Sequence, residues 1–145
     1  MLFIGTAPSP QNVAERMEVE AGAELFVRRR LMYVDGVPVR VATSYFLVSD
    51  AEATPLEEPD FLPQGLQEIL EQMGKRFGRA EETLIARAAT PGEARVLELD
   101  ASASVVEILR TSYDSEGAPV HTLETICAAE RHVFRVRQFP DDRAF

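Results

Sequence analysis

The sequence predicts an α+β domain in which an antiparallel sheet of about six strands is flanked by helices. Long stretches rich in valine, aromatic and β-branched residues are joined by glycine-containing turns, which is typical of β-hairpins. Between them lie shorter segments whose apolar residues recur at helical spacing. At 145 residues the chain is long enough for one substantial core, so we expect residues 1–145 to form a single domain.

The first segments predict an arm and a short helix. Residues 1–8 show no regular pattern and are expected to form the arm. Ser9-Pro10 then offers a helix N-cap followed by a proline at the first helical position. We therefore predict a helix over residues 10–18.

A hairpin is predicted next. Asp35-Gly36 is the strongest short-range hairpin signal in the chain, and it separates predicted strands 24–34 and 37–48. If these two residues are the whole turn, Arg30 lies opposite Val41.

The remaining pattern alternates between loops, helices and strands. Thr90-Pro91-Gly92-Glu93 is a capping box with proline at the first helical position. Gly78 is expected to end the helix before it. In order, the predictions are a loop over 49–63, a helix over 66–77, a strand over 80–89, a helix over 91–98, strands over 104–114, 118–128 and 131–138, and a frayed tail over 139–145.

Two turns of the chain resemble each other. Asp35-Gly36-Val37-Pro38-Val39 recurs as Glu116-Gly117-Ala118-Pro119-Val120, and each copy joins two long predicted strands. Alignment on the glycines matches Arg29 with Arg110 and Arg40 with His121. Coincidence of turn chemistry is one explanation, because both turns need glycine. We favour the other, an internal duplication that places two similar hairpins in one sheet.

Charge and composition exclude several classes of function. The chain carries 15 basic and 24 acidic residues, a net charge of −9, whereas a duplex-binding domain usually needs a basic patch. We expect no DNA binding by these residues alone. The single cysteine, Cys127, allows no internal disulfide, and no apolar run reaches membrane-spanning length or forms a signal peptide. These features predict a cytoplasmic protein without a membrane partner.

Two arginines on one strand face are candidate binding residues. In a strand, Arg28 and Arg30 point the same way, and the predicted register adds Tyr45 to their face. A guanidinium among apolar side chains needs a partner, because an unpaired buried charge is very costly. The partner is either an internal carboxylate, such as Glu82 or Glu124, or an anionic ligand.

The second hairpin predicts a polar stripe. A turn centred on Glu116-Gly117 places His121 opposite Ser112, with Arg110 on the same face opposite Leu123. Such a stripe in an apolar hairpin suits a ligand pocket with a few convergent polar groups. A satisfied polar network within the sheet is the alternative.

Signatures of catalysis are absent from the sequence. There is no glycine-rich phosphate loop and no nucleophile elbow. His121 and His132 do not stand at metal-site spacing from Cys127. We therefore predict no catalytic residue, metal or cofactor, and hence no enzyme.

Four stretches, in order, resemble the UTRA domain, the effector-sensing half of HutC-type GntR regulators. The match covers nearly the whole chain. The stretches are Ala7-Pro8 through Val13-Ala14-Glu15-Arg16; Val27-Arg28-Arg29-Arg30-Leu31-Met32-Tyr33-Val34-Asp35-Gly36-Val37-Pro38-Val39 with Ala42-Thr43-Ser44-Tyr45; Arg79-Ala80-Glu81-Glu82-Thr83 with Ala86-Arg87-Ala88-Ala89-Thr90-Pro91; and Arg110-Thr111-Ser112-Tyr113-Asp114 with Gly117-Ala118-Pro119-Val120.

The resemblance implies a chorismate-lyase-like fold, a homodimer, and a preceding winged helix-turn-helix that binds DNA and is not among these residues. It also implies that ligands sit between Arg30 and His121. Relatives commonly carry glutamate where this chain has His121, and often Tyr-Arg-Gly-Asp-Arg where it has Cys127-Ala128-Ala129-Glu130-Arg131. These departures imply a different effector.

Together these inferences predict a small-molecule effector-binding and dimerisation domain of a bacterial transcription regulator. The expected partners are a small-molecule effector, for which an anion is one candidate, and a second copy of the chain, with DNA reached only through the absent domain. A chorismate-lyase-like enzyme and a dimerisation domain without a ligand are the alternatives. The candidate effector-binding residues are Arg28, Arg30, Tyr45, Glu82, Arg110, Ser112, His121 and Glu124.

Overall fold

The computed structural model describes residues 1–58 and 65–138 and shows one six-stranded antiparallel sheet. The strands are β1 (Phe3–Pro8), β2 (Glu24–Val34), β3 (Val37–Phe46), β4 (Phe77–Ala88), β5 (Ser104–Asp114) and β6 (Pro119–Ala128). The helices are α1 (Gln11–Met17), α2 (Val48–Ala51), α3 (Leu66–Gln72) and α4 (Pro91–Val96), with 3₁₀ turns at Pro55–Glu57 and Ala129–Arg131. The spatial order of the strands is β1-β2-β3-β6-β5-β4. The predicted fold class is confirmed.

The sheet consists of two similar halves. Each half consists of a strand, a helix and two further strands joined by a tight turn: β1-α1-β2-β3 in the first half and β4-α4-β5-β6 in the second. Glu18 and Glu98, 80 residues apart, follow the two helices in the left-handed conformation, with φ of 56° and 54°. The backbone hydrogen bonds from Ser9 to Ala23 and from Val19 to Ala14 recur as those from Ala89 to Ala103 and from Leu99 to Ala94.

This repeat extends beyond the two turns and supports the internal duplication. It also corrects the alignment in one place. β2 and β5 begin and end 80 residues apart, so Arg110 corresponds to Arg30 and not to Arg29. Arg30 and Arg110 lie on the same face of the sheet, whereas Arg29 points to the opposite face.

A β-bulge changes the register of the first hairpin. Asp35-Gly36 forms the predicted two-residue turn. Just before it, next to Met32, the pairing shifts by one residue. Arg30 therefore lies opposite Ala42, and the prediction that it faces Val41 was wrong. Turn chemistry specifies the turn but not an irregularity beyond it.

Five of the six predicted strands are present, but the sixth was assigned to the wrong segment. Residues 131–138 form no strand, and Val133 and Val136 are 90% and 93% exposed. They follow β6, whose two edges are already hydrogen-bonded to β3 and β5, so no place in the sheet is open beside it. The predicted arm, residues 1–8, instead supplies β1 along the outer edge of β2.

Helices α1 and α4 begin and end within two residues of the predicted bounds, but α3 ends five residues earlier than predicted. Pro10 occupies the N-cap of α1, so Ser9 is not the predicted cap, and its buried Oγ has no partner among the described residues. α3 ends at Gln72, before Gly74 in the left-handed region, and not at Gly78. The capping box of α4 is confirmed.

The predicted loop over 49–63 contains α2 and the 3₁₀ turn at Pro55–Glu57 in its described part. Positions 59–63 and the predicted tail over 139–145 lie outside the described residues. Across residues 1–58 and 65–138, no helix is long and apolar enough to cross a membrane.

Helices pack on both faces of the sheet. The first face lies under α1 and α4. There α1 packs on a cluster of strand side chains, and Leu97 at the end of α4 packs on Val105 and Ile126. The second face is covered at one end by the segment between the two halves, where α2, the 3₁₀ turn and α3 contribute Ala51, Leu56, Ile69 and Leu70 to a cluster with Phe26 and Phe46.

Gly78 occupies a crowded position that leads to a test of the β4–β5 pairing. A Cβ atom built there would lie 2.2 Å from the backbone oxygen of Asp114, which cannot move without breaking the sheet. We expect Gly78→Ala to lower the free energy of unfolding by about 1–3 kcal/mol in urea melts. Gly92→Ala is the matched control, since its Cβ meets nothing within 4 Å and the α4 helix should gain up to about 1 kcal/mol. Equal stabilities for the two variants would contradict this packing.

Candidate functional site

A cavity of about 210 Å³ lies on the second face, between α3 and the hairpin of β5 and β6. Arg110, Ser112, His121 and Leu123 line it from the strands. Leu70 lines it from α3. Two larger clefts of the described chain are more open to solvent. This cavity therefore brings polar and apolar side chains together in a partly enclosed space.

The second hairpin positions the polar stripe as predicted. His121 pairs with Ser112, and Arg110 pairs with Leu123. Residues two apart in a strand share a face, so all three polar side chains point toward the cavity side of the sheet. The predicted convergence of Arg110, Ser112 and His121 is confirmed by this register and by the lining of the cavity.

His121 is the most unusual group in the cavity. Its Nε2 atom is buried and has no hydrogen-bond partner in the described chain. Its ring stacks on Phe46 with 4.7 Å between the ring centres. Burial, followed by the positive charges of Arg110 and Arg30, lowers the pKa of His121 to about 4. The imidazole is therefore neutral near pH 7.

An unpartnered polar atom at such a position is informative. Leaving a buried donor or acceptor unsatisfied costs about 1–3 kcal/mol, and nearly all such groups in folded proteins find a partner. A neutral imidazole offers one N–H donor and one acceptor. A bound molecule with a complementary group would satisfy the Nε2 atom of His121.

Arg110 already holds a carboxylate. Its Nη1 donates to Oε2 of Glu82 on β4 over 3.2 Å, and both side chains are partly exposed. Exposed ion pairs contribute only about 0–1 kcal/mol. A ligand anion can therefore replace Glu82 on Arg110 at small cost.

Arg28 is committed to the fold. Its side chain is buried and donates from Nη1 to the backbone oxygens of Leu56 and Glu58. It thereby holds β2 to the 3₁₀ turn at Pro55–Glu57, which belongs to the inserted segment, the part of the chain between β3 and β4. Burial, and then the charge of Arg30, lower the pKa of its guanidinium. These contacts account for Arg28 without a ligand.

Arg30 is exposed and lies on the cavity side of the sheet, beyond the cavity lining. Within residues 1–58 and 65–138 it makes no hydrogen bond or ion pair. Its charge still lowers the pKa of His121. Neither carboxylate proposed as an internal partner fills that role, because Glu82 pairs with Arg110 and Glu124 lies on the opposite face.

Tyr45 and Glu124 lie on the face under α1 and α4. The bulge in the first hairpin moves Tyr45 away from the face of Arg28, so the predicted shared face was wrong. Tyr45 packs under α1, and burial raises its pKa. Glu124 lines a separate cleft together with Arg29; burial, and then the carboxylate of Glu107, raise the pKa of Glu124.

Several lining residues were missed by the sequence analysis. Lys75 and Arg76 follow α3, and Lys75 pairs with Asp50 at 3.5 Å. Phe77 begins β4, and it is half exposed. The helical spacing that ends near Phe77 is visible in the sequence, but the sheet face on which this helix packs is not. No group of histidine, cysteine and acidic side chains in the described chain could hold a metal ion.

Comparisons with known proteins agree with this architecture. The UTRA domain profile matches residues 2–133. The HTH-type transcriptional regulator GgaR of Escherichia coli K12 is 26% identical over 128 residues, which cover 86% of this chain and 48% of GgaR. The chain thus spans about half the length of the curated relatives it matches.

Solved structures share the fold. The C-terminal domain of Yurk from Bacillus subtilis superimposes with a TM-score of 0.81 at 18% identity, covering 94% of this chain and 92% of that domain. The effector domain of PhnF from Mycobacterium smegmatis gives a TM-score of 0.79 at 20% identity, covering 96% and 85%.

Replacing each strand arginine separately tests their different roles. We expect Arg28→Ala to lower the free energy of unfolding by about 2–3 kcal/mol, because it removes a charged donor and leaves two carbonyl oxygens unpaired. Arg30→Ala, the matched control on the same strand face, should stay within about 0.5 kcal/mol of the parent protein. Urea melts measure both. A large loss in Arg30→Ala would make Arg30 a structural residue.

The depressed pKa of His121 predicts a pH-dependent stability. Between its ordinary pKa of 6.5 and about 4, the unfolded chain binds a proton that the folded chain does not. Stability should therefore fall as the pH falls through this window, and His121→Phe should remove about 2 kcal/mol of the change between pH 7 and pH 4.5. Urea melts at both pH values measure the difference, with His132→Gln as the control. An unchanged slope in His121→Phe would show that His121 is not buried in its neutral form.

Proposed function

The chain belongs to the UTRA family of effector domains of GntR-type transcription regulators, and from this premise we propose that it binds a small anionic effector in the cavity lined by His121 and Arg110. It acts as a cytoplasmic homodimer. Effector binding in the cavity changes the activity of a winged helix-turn-helix domain outside these 145 residues, and that domain contacts the operator.

The observation that carries the proposal is the buried, unpartnered Nε2 of His121 at a partly enclosed cavity. A ligand in this cavity would supply the hydrogen-bond partner that the Nε2 atom lacks, which favours effector binding over a dimerisation domain without a ligand. The same cavity also presents Arg110 and Ser112, which makes it a concave site with few convergent polar groups and an apolar wall.

Three cations around the cavity favour an anionic effector. Arg110, Lys75 and Arg76 all line it, against one carboxylate, that of Glu71. Glu82 shows that Arg110 accepts a carboxylate at hydrogen-bonding distance. The apolar lining, including Leu70 and Phe77, suits a ligand that combines an anionic group with an apolar part. A neutral His121 brings no charge of its own to the site and can hydrogen-bond to such a ligand.

The charge distribution supports separate sites for effector and DNA. With a net charge of −9, the domain would repel the phosphate backbone. We therefore assign sensing to this domain and DNA contact to its helix-turn-helix partner.

Ligand-dependent stabilisation tests the proposal. We expect at least one anionic metabolite in a thermal-shift screen to raise the melting temperature, since a ligand that binds only the folded state stabilises it. Arg110→Met should weaken its binding by about 10–100-fold in calorimetry, the value of one charge-assisted hydrogen bond. Arg95→Met, an exposed arginine on α4, is the matched control.

Two outcomes would replace this function. If no anionic metabolite stabilises the protein, or if Arg110→Met binds as well as the control, the cavity is not the effector site. If the protein releases pyruvate from chorismate, it is a chorismate-lyase-like enzyme.

A further inference from the structure

A second cleft lies on the first face of the sheet, on the other side from the effector cavity. It has a volume of about 330 Å³, which is large enough for a small metabolite. Its floor comes from β2, β3 and β6, and its walls come from α4 and the beginning of β1. No described residue lines both this cleft and the effector cavity, so the two are separate places in the fold.

The floor of this cleft carries a cation and an anion on either side of a threonine. Arg29 pairs across the sheet with Thr43, and Thr43 pairs with Glu124. The two charged residues therefore stand two strand spacings apart, about 10 Å between their Cα atoms. Nε of Arg29 donates to Oγ1 of Thr43 over 3.1 Å. This hydrogen bond directs the guanidinium over β3, toward Glu124.

Neither of these charges has an ion-pair partner in the part of the chain that the structure describes. The carboxylate of Glu124 is half-buried and makes no hydrogen bond there either. Burial, and then the carboxylate of Glu107, raise the pKa of Glu124 by more than the charge of Arg29 lowers it. The other acidic residue of the lining, Glu93, already pairs with Arg87 at 2.7 Å. The cleft thus presents one positive and one negative charge without counter-ions.

The internal duplication shows that the fold itself does not require this carboxylate. When the glycines of the two turns are aligned, Thr43 and Glu124 occupy equivalent positions of the two halves. In the first half the position holds a hydroxyl group that bonds to Arg29. In the second half the residue equivalent to Arg29 is Leu109, so Glu124 lacks the partner that its counterpart has. A half-buried acid at a position where threonine also fits indicates a role in binding.

Apolar side chains surround the two charges. Val41 and Ile126 lie beside them on the floor, and Phe3 and Val96 line the walls. Phe3 and Val96 are 40% and 38% exposed, so they keep apolar surface in contact with water. A ligand that covered this surface would gain free energy from the hydrophobic effect. The lining therefore suits a molecule that combines charged groups with an apolar part.

We propose that this cleft is a second ligand site, which binds a zwitterion with an apolar side chain, such as an apolar α-amino acid. The ligand's carboxylate accepts hydrogen bonds from Arg29, its ammonium group donates to Glu124, and its side chain packs on Phe3 and Val96. The inference goes beyond the proposed function, because it assigns a different class of ligand to the opposite face of the sheet.

Ligands with a single charge fit this cleft less well. A cation would leave Arg29 without a counter-ion, and an anion would stand close to the unpaired carboxylate of Glu124. The guanidinium of Arg29 already bonds to Thr43, which lies one strand spacing, about 5 Å, from Glu124. The two groups of the protein are therefore near enough to bind the adjacent charges of one amino acid.

NMR titration of the full chain tests this site, with L-leucine, L-methionine and L-phenylalanine as probes. We expect at least one of them to cause saturable shifts at the backbone amides of Arg29, Thr43 and Glu124. Isoamylamine and 4-methylpentanoate keep the apolar part of leucine with only one of its charges. Each should bind at least about 10-fold more weakly than L-leucine, because it loses a charge-assisted hydrogen bond.

Two variants separate a binding role from a structural one. Glu124→Gln and Arg29→Met should each weaken binding of the amino acid by about 10-fold or more. Glu124→Gln should not lower the free energy of unfolding in urea melts, because the carboxylate has no partner to lose. Glu116→Gln and Arg135→Met are the matched controls, since they remove the same charges at exposed positions outside the cleft.

Each other result overturns the assignment. If none of the three amino acids gives saturable shifts, or if Glu124→Gln binds as well as its control, the cleft is not a zwitterion site. Isoamylamine that binds as tightly as L-leucine would show a cation site without a role for Arg29. A large loss of stability in Glu124→Gln would make Glu124 a structural partner of Arg29.

One further outcome would separate this proposal from the effector site. If the amino acid shifts the amides of Ser112 and His121, and Arg110→Met abolishes its binding, the zwitterion is the ligand of the effector cavity. The second site would then fall while the effector-binding proposal stands.

Discussion

The antiparallel pairing of β3 with β6 is the contact on which the rest of the structure depends. It joins two halves that otherwise build separate edges of the sheet, and it runs from Arg40 with Cys127 to Tyr45 with Thr122. Both strands are hydrogen-bonded on both sides, so their backbone is satisfied and their side chains can form a core on each face. Two buried threonines on these strands have hydrogen-bond partners: Thr122 bonds to Thr111 of β5 at 3.0 Å, and Thr43 accepts from Nε of Arg29.

The inserted segment between the halves makes two similar hairpins unequal. It covers the second face at the end where Phe46 and His121 stack, and Arg28 fastens it to β2 through the backbone oxygens of Leu56 and Glu58. A cavity forms under α3 beside the second hairpin, whereas α3 does not line the corresponding part of the first in the described chain. Arg110 lines that cavity and pairs with Glu82, whereas its counterpart in the first half, Arg30, lies beyond the cavity lining. Function can thus be confined to one half of a duplicated fold.

The electrostatics of the cavity follow from this enclosure. Burial keeps His121 neutral, and the neighbouring arginines disfavour its protonation further, so hydrogen bonding rather than charge is what it offers a ligand. Positive charge is supplied by Arg110, Lys75 and Arg76 at the same cavity. Two of these cations already pair with carboxylates: Arg110 with the exposed Glu82, and Lys75 with Asp50, whose side chain is 13% exposed. These ion pairs compensate the charges of Arg110 and Lys75 when no ligand is bound, so that neither cation is left unpaired.

Local patterns determined much of this fold. Alternation of apolar residues, the Asp35-Gly36 turn and the capping box at Thr90 predicted the hairpins and α4, because these signals depend on neighbouring residues alone. The second hairpin's register followed too, which is why Arg110, Ser112 and His121 were placed together correctly. Features that depend on contacts between distant segments were determined only by the tertiary structure. A bulge in the first hairpin places Tyr45 on the other face of the sheet. The N-terminal segment, and not residues 131–138, forms the outer strand, since β6 has no free edge, and the packing of α3 creates the cavity. Each depends on which surfaces are left free once the strands have paired, and no short stretch of sequence encodes that.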